Sequence, residues 1–385
     1  MDPRPVALER CDTFVGRTMN WLYDHLRVVP RHSPVVLADR LQNRDEFPEL
    51  VAMTLRSSVG GRIWRRLAPE RMYPGHVRTL RRHGPRLLHS HFGYVAAGDD
   101  QLHAALGVPW FVSFYGADVY MLGRQPEWVD TYGRVFEKCQ RVLALGPRMA
   151  EELQRLGCPA EKISIHPLGI DPAGLPSVPR ELRNGEPLRV LYAGTFREKK
   201  GIPYLLDGVA LVRDAGVRVE LHLVGDAAAK DGDAQTKEEV FRRIRGHGLE
   251  DCTHHHSWLR FDDLVRLALQ CHVFVAPSVT AKDGDAEGTP FVIQQMMATG
   301  MPVISTLHSD IPFIFGPHAH LLVPERCGQA IADRLKAYAE EPSRLTEDGR
   351  RLGSHVREAL DVRRCAAALS DLYDRYAGSG SPGER

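Results

Sequence analysis

The sequence has 385 residues, 43% of them hydrophobic and 26% charged, with a formal net charge of +1. That length exceeds one ordinary core and suits two domains of about two hundred residues each. The near-neutral balance removes any bulk electrostatic case for nucleic acid, and no segment reaches the roughly 18 uninterrupted apolar residues of a membrane span. The opening MDPRPVALERCD has no apolar leader core, so a cytoplasmic location is the expectation. Seven scattered cysteines without a C-x-x-C pair fit a reduced compartment, not a disulfide framework or a zinc site. His254, His255 and His256 are consecutive, and adjacent side chains diverge, so no metal is expected there.

In chain order, Pro5–Leu8 reads as a short strand. Asp12-Thr13-Phe14 then opens an amphipathic helix through Thr18, Trp21, Leu22 and Leu26, and Pro34–Ala38 is a second strand. From Arg56 to Arg86 the chain carries nine arginines, no lysine and Glu70 as its one acid. Val59, Ile63 and Leu67, then Val77 and Leu80, recur at helical spacing, which predicts amphipathic helices with basic outer faces. Such a face is either simply solvated or meets anionic lipid headgroups, each basic residue contributing about 1 kcal/mol near an anionic leaflet. Arg86–Ser90 and Trp110–Phe114 read as strands ending at His89-Ser90-His91-Phe92-Gly93 and Tyr115-Gly116-Ala117-Asp118, on the rim where parallel sheets bind ligands. Arg141–Ala144 is a short strand, followed by a helix from Arg148 to Leu156.

Residues 1–172 are therefore expected to form a first domain, 173–187 a linker and 188–358 a second domain. That second domain opens with strand Leu188–Ala193, the loop Gly194–Gly201 and helix Ile202–Val212. A strand, a Gly-bearing basic loop and a helix form a phosphate-binding arrangement. The loop lacks G-x-G-x-x-G spacing, which counts against a nicotinamide or flavin enzyme. Val219–Val224 leads to Gly225-Asp226, and residues 230–237 read as a mobile polar loop. A helix over 238–247, a strand over 253–257 and a helix over 261–269 follow. Val273–Ala276 and Pro302–Ser305 read as buried strands. Between them Thr289 is the expected N-cap and Pro290 the first residue of a helix that stops at Gly300. The tail from Gln329 to Tyr376 looks wholly helical, and residues 359–385 are expected to cross back onto the first domain.

The motifs carry a resemblance. Glu287-Gly288-Thr289-Pro290, the Lys199-Lys200-Gly201 loop, HPLGID at 166–171, HSHFG at 89–93 and YGAD at 115–118 resemble segments of the retaining GT-B glycosyltransferases called family 4. The resemblance implies an α/β fold of two Rossmann-like doubly wound parallel-sheet domains facing across a cleft. It implies transfer of a sugar from a nucleotide-sugar donor to a glycan, lipid-linked or small-molecule acceptor, with retention, with no metal and with no cofactor besides the donor substrate. By the same resemblance Glu287 holds a donor-sugar hydroxyl, Gln295 the ribose, and Lys200 with Arg197 the diphosphate. Gly194, Thr195, Gly225, Gly288, Thr289 and Pro290 line the donor. His91 is the expected catalytic histidine of the cleft, and Tyr115, Asp118 and Thr13 belong to its acceptor side.

Three positions depart from the family pattern: Gln295 stands for its second Glu, Thr195 for its Arg and Tyr115 for its His. Each keeps hydrogen-bonding capacity. A lipid-linked acceptor and contact with an anionic membrane through Arg56–Arg86 would suit a peripheral enzyme on the inner face of a membrane. The competing readings are a GT-B epimerase or phosphorylase and a non-catalytic sugar-nucleotide or lipid-binding module.

Overall fold

The computed structural model describes residues 3–16, 20–55, 67–68, 72–228 and 232–377. The chain divides into two compact units, Met1–Gly169 with Val362–Arg385, and Ile170–Asp361.

The first unit is built on seven parallel strands: β1 (Val6–Phe14), β2 (Ser33–Leu41), β3 (Val51–Met53), β4 (Pro85–His91), β5 (Trp110–Ser113), β6 (Arg141–Ala144) and β7 (Ile163–Ile165). Their order is β3-β2-β1-β4-β5-β6-β7. Central strands read as unbroken apolar runs because helices cover both faces of such a sheet; Leu87, Leu88, Trp110, Phe111, Val112, Val142 and Leu143 are all buried. The strand order reverses between β1 and β4, so a crevice opens at their carboxyl ends. Helix Val362–Ala377 belongs to this unit, packing Ala366, Leu369 and Tyr373 into a cluster with Phe14, Leu26 and Phe111.

The second unit carries β8 (Leu188–Ala193), β9 (Val219–Val224), β10 (Thr253–His256), β11 (Val273–Ala276) and β12 (Val303–Ser305), all parallel, in the order β10-β9-β8-β11-β12. Here the reversal lies between β8 and β11. The loops that leave their carboxyl ends, 194–201 and 277–290, are thereby brought side by side.

Several local expectations need correction. The first strand runs to Phe14, paired along its length with β2, so Thr13 lies in a strand opposite Arg40; the helix begins only at Asn20. Residues 233–237, read as a mobile loop, form the first turn of helix Asp233–Gly246. The tail is three helices, Gly328–Glu340, Ser343–Ala359 and Val362–Ala377, interrupted at Pro342 and near Leu360. Leu67 is 77% exposed and is not part of an inward apolar stripe. Helix Pro74–Arg81 buries Leu80 and leaves Arg78, Arg81 and Arg82 exposed, whereas Arg56, Arg62, Arg65, Arg66 and Arg71 lie outside the described residues. Among the described residues no helix is long and apolar enough to cross a membrane.

Candidate functional site

In the second unit the site is assembled from the two loops at the reversal. Gly201 ends the first loop in the left-handed region at φ +64, and a Cβ there would sit 1.9 Å from the carbonyl oxygen of Pro277. Only glycine lets the two loops approach this closely. Gly225, at φ +131, similarly backs onto the carbonyl of Gly194. The turn Glu198–Lys200 just before Gly201 then points two lysines at the second loop.

Lys200 Nζ lies 2.8 Å from Glu287 Oε1, and Lys199 Nζ lies 3.9 Å from the same oxygen. Lys199, to which the sequence assigned no role of its own, is largely shielded, its side chain 11% exposed. It bonds Asp285 at 3.1 Å and donates to the carbonyl of Ala286 at 3.2 Å. Glu287 is 8% exposed. Burial pushes its carboxyl upward, but the charges of Lys199 and Lys200 outweigh that and hold it down at about 2. The result is a buried, ionised carboxylate held by two cations. Lys199 in turn is kept charged: burial works against it, and Glu287 and Asp285 more than restore it.

Helix Phe291–Ala298 follows, with Pro290 rather than Thr289 as its N-cap, one residue later than expected. The Thr289 hydroxyl therefore does not cap the helix; it is buried, without a hydrogen-bond partner among the described residues. Gln294 is 0% exposed, and neither its Oε1 nor its Nε2 has a partner among the described residues. Gln295 is half-buried one position on. Buried polar atoms of this kind normally find a partner in ordered water or a ligand. Sequence reading passed over Gln294. Of the remaining expected donor residues, Gly288 and Pro290 are buried in the second loop, while Gly194 and Thr195 are half-buried in the first. Arg197 is not with Lys200: its Nε is taken by Asp233 at 3.2 Å.

The first unit brings together a different set. Glu9 of β1, His89 and His91 of β4, Ser113 of β5, Tyr115 and Tyr373 form a connected polar core. His91 Nε2 lies 2.9 Å from Glu9 Oε2 and His91 Nδ1 lies 2.6 Å from the Tyr115 hydroxyl. Tyr373 donates to Glu9 Oε1 at 3.1 Å and lies 2.5 Å from His89 Nδ1, whose Nε2 is 2.8 Å from Ser113 Oγ. His91 is 2% exposed and both its nitrogens are engaged, so it is a core histidine and not one open on the rim. Burial, and then the neighbouring His89, push it down to about 4. For Glu9 burial acts upward, yet the hydrogen bonds from His89 and His91 hold it well below the usual carboxylate range. Asp118 is likewise buried. It accepts the backbone N–H groups of Gly93, Tyr115 and Gly116 at 3.0, 3.1 and 2.8 Å and so shapes the turn. Thr13 lies in β1, half-buried and outside this bonded set.

Glu9, His89 and His91 are the one set among the described residues whose donor atoms lie close enough to hold a metal ion. A metal there would have to displace hydrogen bonds that already satisfy each nitrogen and oxygen.

Comparison with known proteins bears on both units. Residues 187–341 match the family described as glycosyl transferases group 1, and residues 15–169 match the glycosyl transferase 4-like domain. The amylovoran biosynthesis glycosyltransferase AmsK of Erwinia amylovora is 31% identical over 245 residues, covering 63% of this chain and 58% of AmsK. The putative colanic acid biosynthesis glycosyltransferase WcaL of Escherichia coli K12 is 28% identical over 229 residues, covering 59% of this chain and 54% of WcaL. These matches thus span little more than half the length of either relative. Among solved structures, Anabaena HepE in complex with UDP and glucose superposes with a TM-score of 0.78 at 16% identity, over 97% of this chain and 100% of HepE. Sucrose-phosphate synthase from Thermosynechococcus elongatus gives 0.77 at 17% identity, over 98% of this chain and 100% of that one. Identities this low carry the fold alone.

Proposed function

The chain belongs to the glycosyl transferases group 1 family, with the GT-B fold, and we propose that it moves a sugar from a nucleotide-sugar donor to a glycan or lipid-linked acceptor. The observation that carries this reading is the buried Glu287 carboxylate held between Lys199 and Lys200 at the mouth of helix Phe291–Ala298. A helix start offers unpaired backbone N–H groups, and two lysines add positive charge, so the place suits a diphosphate. Before the donor arrives, Glu287 serves as the counter-anion of Lys200. Once the diphosphate lies on the lysines, the carboxylate is released to accept a hydroxyl of the donor sugar.

As the glycosidic bond to the diphosphate breaks, negative charge grows on the leaving oxygens. Once Lys199 and Lys200 have exchanged Glu287 for the diphosphate, they and the helix N–H groups stabilise that charge electrostatically. The Thr289 hydroxyl, beside the helix start and without a partner among the described residues, is available to a polar ligand. Arg197 reaches the diphosphate only by leaving Asp233. Retention of configuration, with the departing phosphate oxygen taking the acceptor proton, rests on resemblance to family 4, as does the holding of the acceptor by the first unit. The relatives named for amylovoran and colanic acid biosynthesis support a glycan acceptor.

The test is direct. Lys200→Ala and Glu287→Ala should each lower transfer by at least about 10²-fold with the fold intact. Full activity in both variants would remove the assignment.

A further inference from the structure

We propose that His308 and Glu325 are a positioning pair that fixes the peptide of Glu287, and through it the carboxylate offered to the donor sugar. The inference rests on the donor-site reading above and goes beyond it, to two residues that act on the peptide of Glu287 and on the loop behind it.

His308 follows β12 and is 1% exposed. The backbone N–H of Glu287 donates to His308 Nε2 at 3.0 Å. An amide N–H can only donate, so Nε2 must carry a lone pair and the proton of the neutral ring must sit on Nδ1. That Nδ1–H points at Glu325 Oε1, 2.6 Å away. The other oxygen of Glu325 accepts the backbone N–H of Thr280 at 3.1 Å. The next residue, Arg326, bonds the carbonyl of Thr280 and the hydroxyl of Tyr204, at 3.0 Å for the latter. Arg326 does so from the left-handed region, φ +59, where a non-glycine side chain is strained.

The acidic loop is therefore held near both ends by one short segment: at Thr280 by Glu325 and Arg326, and at Glu287 by Glu325 acting through His308. Lys199 grips the middle through Asp285 and Ala286. The lysines bind the head of Glu287; the histidine binds its peptide. A carboxylate located at both ends cannot follow the lysines when a diphosphate draws them away. It stays where the sugar hydroxyl must meet it. A displacement of about 1 Å at such a group can cost on the order of 10²-fold in rate.

The histidine tautomer is read without substrate. Long-range ¹⁵N NMR on the histidine-labelled full chain, with the signal assigned by its loss in His308→Gln, should show the proton on Nδ1 and a bare Nε2. A proton on Nε2 overturns the proposal whatever the reaction proves to be. The second arm is kinetic and binding together. His308→Ala should lower kcat about 10²-fold. It should change calorimetric affinity for the free diphosphates UDP, GDP, ADP and dTDP less than about threefold, because the lysines and the helix mouth remain. His308→Gln offers an amide oxygen to the Glu287 N–H and an NH₂ to Glu325, and should recover activity to within about fivefold. Activity of His308→Ala equal to the unaltered chain would overturn the proposal. So would parallel loss of diphosphate affinity and melting temperature that His308→Gln fails to restore. If no nucleotide sugar is turned over by the unaltered chain, the functional reading fails, while the tautomer measurement still decides the positioning pair.

Discussion

The hydroxyl of Tyr373 donates to Glu9 Oε1 at 3.1 Å, joining the last helix to the first strand across 364 residues of sequence. The same hydroxyl lies 2.5 Å from His89 Nδ1, so Tyr373 stands between a buried carboxylate and a buried imidazole. Tyr373→Phe keeps the ring and removes both contacts. Leaving a buried polar group unsatisfied costs about 1–3 kcal/mol, more when that group is charged. Chemical denaturation of the variant should show a loss of at least about 2 kcal/mol with an unchanged slope. A loss under about 0.5 kcal/mol would mean that the polar core does not tie the helix to the sheet.

Acid should weaken the fold through buried histidines that stay neutral in the folded chain. Burial holds His25 at about 4, and burial with its neighbour His25 holds His166 well below 6.5. His272 in the other unit is also held at about 4, by burial and then by Arg189. In each case the folded value is depressed below the unfolded 6.5, so the unfolded chain binds more protons between those values. The stabilisation is complete above about pH 6.5 and is lost as pH falls towards 4. His25 alone gives a slope approaching 1.4 kcal/mol per pH unit in that window. Denaturation midpoints should be flat from pH 8 to 7 and fall from 6.5 to 5. A midpoint constant down to pH 5 would show that these rings are protonated in the folded chain.

The donor-side loop was legible because its parts are contiguous. Glu287-Gly288-Thr289-Pro290 and Lys199-Lys200-Gly201 each carry a local signature, and the strand periodicity around them fixes which end of the sheet they occupy. The residues that complete the site have no such signature. Lys199 looks like any exposed lysine until Asp285, 86 residues on, is brought against it. His308 and Glu325 lie on either side of an ordinary helix–loop segment, and only the pairing of β11 with β12 brings His308 to Glu287.

His91 was misjudged for the opposite reason. A histidine at the end of a strand reads as a rim residue, and nothing in HSHFG reveals that Glu9 of the adjacent strand has claimed its outer nitrogen. The helix expected at Asp12 failed because β1 pairs with β2 as far as Phe14, a tertiary gain that overrides the local apolar spacing.

The basic stretch yields a prediction about membranes. Arg78, Arg81, Arg82 and Arg86 are exposed. If the stretch docks on anionic headgroups, each contributes about 1 kcal/mol, and the full chain should co-sediment with phosphatidylserine-containing vesicles in low salt. Binding should vanish with neutral vesicles and fall steeply at about 0.5 M salt, where the Debye length is only a few ångströms. Equal binding to neutral vesicles would contradict an electrostatic contact.

Whether two lysines and Glu287 form a nucleotide-sugar site is decided by a melting-temperature panel of UDP-, GDP-, ADP- and dTDP-sugars. A ligand at a hundred times its dissociation constant stabilises the folded chain by about 2.7 kcal/mol, which is several degrees for one unit of this size. At least one donor should raise the midpoint of the unaltered chain, and Lys200→Ala should abolish the shift. No shift with any donor at millimolar concentration, or an equal shift in Lys200→Ala, would contradict such a site.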